Sequence, residues 1–304
     1  MAGRTTFYEA RSMGTWKTYF FFVFFFLLVL VIGWVFGEFL GFGPAGIFLA
    51  AILAIVLSIG AYFYSDSIVL AISKARPATH EEFTFLDNSV EGLSIAAGIP
   101  KPRVFVIEDS AINAFATGRD PKHAVLCFTT GSLSRLNRIE LEGVIAHEIS
   151  HIKNFDTRVM MFATVFVGIT ALLSDLLLRS FFWGGGGRGN SRESGSMGAA
   201  LLVLAIVLAI LSPIIAALIK MAISREREYL ADATGAQLTR YPEGLASALE
   251  KISKDTEPLE VANSATAHLY ISDPLKNSKG IKFLQGLFST HPDVSDRIKR
   301  LRQM

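Results

Sequence analysis

Four long apolar runs set the strongest limit on how this chain can fold. Residues 19–36 and 46–64 carry no charge, and each approaches the ~20 residues that a helix needs to cross a hydrocarbon core. Residues 159–178 and 199–219 repeat the pattern less cleanly, the first with Asp175 near one end and the second with a kink expected at Ser212-Pro213. Read as helices, the runs predict four membrane crossings in a mainly α, integral membrane protein. Composition agrees, since 51% of the 304 residues are hydrophobic and 18% are charged, against roughly 25% charged in soluble domains.

The first run is longer than the apolar stretch of a signal peptide and no Ala-x-Ala site follows it, so it is expected to be a retained anchor. Orientation is read from basic residues in the short flanks. Arg4, Arg11 and Lys17 precede the first run, Glu38 is the only charge between the first two, and Lys74 and Arg76 follow the second. That asymmetry places both flanks on the cytoplasmic side of the cell membrane. Arg179, Arg188 and Arg192 between the last two runs argue mildly the other way for their loop. The glycine run 184–187 and the polar stretch after it have no apolar period and are expected to be linker.

The expected organisation is a tail and two spans over residues 1–64, the first part of a peptidase domain over 65–158, two further spans over 159–219, and the second part of that domain over 220–304. Short strands are expected at 103–108 and 124–129, with helix elsewhere. A net charge of +2 from 29 basic and 27 acidic residues, without a basic run, sets nucleic acid aside as a partner. The single cysteine, Cys127, excludes an internal disulfide framework and a cysteine-based zinc finger.

Chemistry enters at His147-Glu148-Ile149-Ser150-His151. The pattern HExxH works only on a helix, where residues four apart share a face. A helix is expected there: Asn137 and Glu140 have capping-box spacing, and Leu141, Ile145, Ile149 and Ile152 form an apolar stripe at helical period. Two neutral imidazoles one turn apart bind one zinc ion, and Glu148 between them can reach a water at the metal as a general base. A third protein ligand is needed. The metzincin continuation fails, because Asn154 and Thr157 stand where Gly and His are required. The alternative is Ser224-Arg225-Glu226-Arg227-Glu228-Tyr229-Leu230-Ala231-Asp232, in which Glu228 and Asp232 lie one turn apart. One ligates and the other orients a ligating histidine; spacing alone does not choose Glu228 over Glu226. Two crossings between His151 and Glu228 would return the chain to the same side of a bilayer, as a shared metal demands.

With these segments in order, the chain resembles the M48 family of membrane zinc metallopeptidases, and within it the HtpX-like proteases. The resemblance runs through Asn113-Ala114-Phe115-Ala116-Thr117-Gly118, the HExxH segment from Glu140 to His151, Asn154-Phe155-Asp156, the segment from Ser224 to Asp232, and Thr290-His291-Pro292. It implies a zincin-type α+β peptidase domain with a small sheet, on the cytoplasmic face, holding one Zn2+ per chain. By resemblance His147, His151 and Glu228 are the ligands, Glu148 is the base and Asp232 stands behind a ligand. The resemblance also implies an edge strand that holds an extended protein or peptide substrate by β-augmentation. Residues 111–117 are the candidate edge, with Asn113 near the substrate and His291 a candidate oxyanion donor. Asp156 is a candidate to hold the zinc helix by pairing with Arg225 or Arg227, whereas His80, His123 and His268 receive no role.

These readings combine into a membrane-bound zinc endopeptidase that hydrolyses misfolded or membrane proteins, with the lipid bilayer as its second partner. The rival from another class is a noncatalytic membrane scaffold or chaperone with a structural metal site. An intramembrane protease would carry HExxH inside an apolar run, yet Glu140, Glu142, Lys153, Asn154 and Asp156 crowd the motif.

Overall fold

The computed structural model describes residues 44–161, 225–262, 266–272 and 292–304, together with a few single positions. Helix α1 (Pro44–Ile72) leads through β1 (Arg76–Pro77) to α2 (His80–Ala97), then to β2 (Arg103–Ile107), β3 (Ala114–Thr117) and β4 (Val125–Thr129). Helices α3 (Thr130–Arg135), α4 (Arg138–Lys153), α5 (Arg225–Thr239), α6 (Pro242–Lys254) and α7 (Val294–Leu301) complete the described elements. The sheet order is β1-β2-β4-β3. β2 and β4 run parallel, while β3 lies antiparallel to β4 with Ala114 opposite Phe128 and Thr117 opposite Val125. The chain makes the crossover by folding β3 back along the far side of β4.

Every residue of β3 and β4 is buried, Cys127 among them. Burial pushes the Cys127 thiol far above its ordinary range. The two expected strands form almost where spacing placed them. Between them, β3 is set by Gly118: its φ of +131° is reserved in practice for glycine, and a β-carbon there would stand 2.4 Å from the His123 carbonyl oxygen.

α4 is the axis of the domain. Asn137 accepts from the Glu140 N–H while Glu140 accepts from the Asn137 N–H, a complete capping box. Glu140 is further held by Lys251 and Ser247 of α6, each at 2.7 Å. The stripe Leu141, Ile145, Ile149 and Ile152 is buried, each side chain contributing about 1.5–3 kcal/mol by leaving water. α5, α6 and α2 pack around it, so the segments on either side of residues 162–224 build a single core. α5 buries one face at helical spacing: Arg227, Glu228, Ala231, Asp232, Gly235 and Ala236.

The expectation of four transmembrane helices is corrected. Among the described residues, no helix is long and apolar enough to cross a membrane. The expected span 199–219 and most of 19–36 and 159–178 lie outside the described residues. The expected span 46–64 falls in α1, which keeps Phe48, Ile52 and Val56 exposed but ends as part of the domain. Its last turns bury Val69 and Leu70 with Ile107, Phe115 and Val125. Arg119 donates to the Phe63 carbonyl at 3.0 Å, and Arg103 pairs with Asp66. An uncharged run has the same local pattern whether lipid or protein is to cover it, which is why period and length misled. With the spans go the integral, multi-pass location and the bilayer as a partner; what the described residues form is an α+β domain.

α4 and α6 meet backbone to backbone at Gly143, where a β-carbon would stand 2.6 Å from the Leu245 nitrogen. Gly143→Ala should therefore destabilise the fold by about 1–3 kcal/mol in spite of alanine's higher helix propensity. A lower denaturant midpoint at unchanged slope is the expected result of an unfolding titration.

Candidate metal centre

α4 projects His147, Glu148 and His151 inward, at 1%, 2% and 4% exposure, so this is no solvated histidine pair. α5 can approach α4 closely enough to meet them because Gly235 lies against the His147 backbone, 3.1 Å from its nitrogen to where a β-carbon would be. That contact brings Glu228 between the two imidazoles. Its carboxylate oxygens lie 3.7 Å from His147 Nε2 and 3.5 Å from His151 Nε2, and the two Nε2 atoms are 3.1 Å apart. The rings stand nearly perpendicular, at 88°. A tetrahedral zinc with bonds of ~2.0–2.1 Å separates its ligand atoms by about 3.3 Å. His147, His151 and Glu228 form the group that fits one ion among the described residues. Glu226, the open alternative, is exposed on the outer face of α5.

Each imidazole is fixed from behind. Asp232 lies 3.0 Å from His147 Nδ1, and Asp156 lies 3.2 Å from His151 Nδ1. Asp156 is held in turn by Arg227 at 2.6 Å, which answers the choice between Arg225 and Arg227. Asp232 receives two bonds from Arg297 of α7, at 2.9 and 2.7 Å. The same guanidinium lies 3.3 Å from Glu228 and is fully buried. Arg297 escaped the sequence reading. A signal was present, since Val294, Arg297 and Leu301 share the inward face of an eight-residue helix, which puts a charge where an apolar residue would be expected.

The electrostatics split the two histidines. Burial, with the Arg297 charge adding to it, lowers His147 to about 4 against the pull of Asp232, so its ring is neutral. Burial also works to lower His151, but Asp156 and Glu228 outweigh it and raise the group to about 9. Burial raises Glu148 to about 7, and Glu228 adds to the rise; the His151 and Arg297 charges and the Ala116 N–H oppose it. A carboxyl near neutrality can both take and give a proton.

The remaining predicted residues fall unevenly. Asn113 is buried just before β3, its amide donating to the Ser272 carbonyl at 3.2 Å and its carbonyl accepting from the Ala114 N–H. His291 lies outside the described residues. His268 is buried, with Nε2 3.0 Å from the Met160 carbonyl oxygen, and so ties its segment to the helical stretch at 156–161 that follows α4.

This geometry is that of a single-ion zinc hydrolase. Residues 80–304 match the sequence profile of peptidase family M48, and the chain belongs to that family. It is 48% identical to a "Protease HtpX homolog" of Thermoanaerobacter pseudethanolicus over 99% of both chains. It is also 48% identical to one of Dictyoglomus thermophilum over 98% of this chain and 95% of the relative. The fold is similar to that of Ste24p from S. mikatae, with a TM-score of 0.50 at 20% identity; the likeness covers 89% of this chain and 61% of the other. The protein is a zinc metalloendopeptidase with one Zn2+ as cofactor. The resemblance to M48 thus stands without its membrane qualifier, for which the described residues supply no spanning helix.

Asp232→Asn removes the charge behind His147 and should weaken zinc binding about 10–100-fold, as measured by competition with a chromophoric chelator. Zinc affinity should also rise with pH through neutrality and level off near 9. Below that value metal-free His151 holds a proton that the metal must expel. Calorimetric titrations in two buffers of different protonation enthalpy should detect close to one proton released per zinc at pH 7; none released would contradict the charged state of His151.

Proposed function

We propose that His147, His151 and Glu228 hold the zinc ion, that Glu148 is the general base, and that the bonds cleaved are peptide bonds in extended protein segments laid along β3. The carrying observation is the placement of the Glu148 carboxyl, buried on the zinc helix one position from His147 and touching Ala116 of β3. A base so placed lies between the metal ligands and the strand that would present the substrate.

Bound zinc supplies a Lewis acid, which polarises a carbonyl and makes water acidic enough to be deprotonated near neutral pH. The remaining work belongs to side chains. Glu148 takes a proton from the attacking water and delivers it to the leaving amine, the two steps its near-neutral titration allows. Asp232 and Asp156, each at an Nδ1 atom, hold both imidazoles with Nε2 beside Glu228, as residues that would bind the ion. Backbone pairing to β3 holds a substrate without regard to its side chains, which supports broad sequence tolerance. His291, a candidate for the oxyanion, belongs to this proposal on its sequence position alone.

Glu148→Gln keeps the shape of the side chain and removes its basicity. Cleavage of casein should fall about 10²–10⁴-fold while the purified protein retains one zinc per chain by elemental analysis. Proteolysis at an undiminished rate would remove Glu148 from the mechanism; loss of zinc would instead make it a structural residue.

A further inference from the structure

β3, whose Ala116 N–H bonds Glu148 of α4, is the end strand of the sheet among the described residues, with one side taken by β4 and no named strand on the other. That second side is occupied by the chain itself. Phe115 forms an antiparallel bridge with Tyr270, and the Ile271 N–H donates to the Ala114 carbonyl at 2.9 Å. The Asn113 amide donates to the Ser272 carbonyl, and Arg297 Nη1 donates to the Ile271 carbonyl, both at 3.2 Å. Three of these contacts engage backbone groups of residues 271 and 272, which any peptide possesses. Because Arg297 also touches Glu228 and Asp232, the Ile271 carbonyl lies one guanidinium away from the metal ligands.

We propose that residues 270–272 occupy the substrate groove as an internal pseudosubstrate, and that an incoming peptide displaces them and has two successive carbonyls held by Arg297 and Asn113. The inference rests on the peptidase reading of the metal centre. The backbone pairing that an incoming strand must replace is short: one bridge and one further backbone hydrogen bond join the segment to β3, whereas four residue pairs join β3 to β4. The segment stays close when it leaves, since His268 is bonded to the Met160 carbonyl and to Thr164. A tethered occupant competes at the effective concentration its short tether sets, without affecting the chemical step. Beside it lies a cleft of about 130 Å3 whose lining includes Asn113, Asp255, Ser272 and Pro274.

Ile271→Pro deletes the N–H that bonds to Ala114 and keeps an apolar side chain. In the full-length zinc-loaded protein it should lower KM for casein about two- to tenfold at unchanged kcat, the occupancy lost with one backbone hydrogen bond. An unchanged or higher KM overturns the proposal. Hydrogen exchange on zinc-loaded Glu148→Gln does not depend on that variant folding. Saturating casein should raise exchange at 270–272 while the amides of β3 stay protected; unaltered protection at 270–272 with casein bound overturns the proposal equally. Casein turnover by the unsubstituted protein separates the two levels, because its absence strikes the peptidase reading, whereas an active enzyme with unchanged KM and exchange strikes only the pseudosubstrate.

Discussion

The buried pair of Arg297 with Asp232 is the interaction on which the metal centre depends. Five ionisable groups, Glu148, His147, His151, Glu228 and Asp232, crowd together with almost no exposure to solvent. Three carboxylates there would repel one another and take up protons unless a fixed cation were buried with them. Arg297 supplies that charge, and its planar fork meets Asp232 at two atoms, which a lysine ammonium could not do. Asp156 and Arg227 repeat the device behind His151. Both imidazoles are thus oriented by a carboxylate that is itself held by an arginine, so ring position is set before any metal arrives.

Much of this was legible in the sequence, and its limits follow from distance along the chain. The zinc helix declared itself because cap, apolar stripe and ligand spacing all fall within 16 residues and obey one period. Glu228 could not be separated from Glu226 by spacing; what decides it is that α5 turns the face carrying Ala231 and Gly235 toward α4, leaving Glu226 outside. Arg297 was missed because its partners lie 65 and 69 residues upstream, at Asp232 and Glu228, and no local pattern connects them. The covering of β3 by Tyr270 spans more than twice that distance.

The apolar runs carry the opposite lesson. Length and absence of charge describe a stretch of chain but not its surroundings. α1 passes from Phe48, exposed within the uncharged run, to Val69, wholly buried against the sheet, and the transition falls beyond Ser65-Asp66-Ser67, where the run ends. That polar break is held by partners distant in sequence, Arg103 reaching Asp66 and Arg119 reaching the Phe63 carbonyl. Residues far along the chain, and not the run itself, decide what an apolar helix rests against.

The bridge between Phe115 and Tyr270 also bears on how the protein behaves in a crowd of its own copies. A bare end strand offers a row of unpaired donors and acceptors to any passing strand, and β3, with Ala114, Phe115 and Ala116 in sequence, lacks the charges and prolines that discourage such pairing. Tyr270 and Ile271 hide that row behind the chain's own backbone. The strand proposed to hold an extended substrate is thereby covered against pairing with another molecule of the same protein.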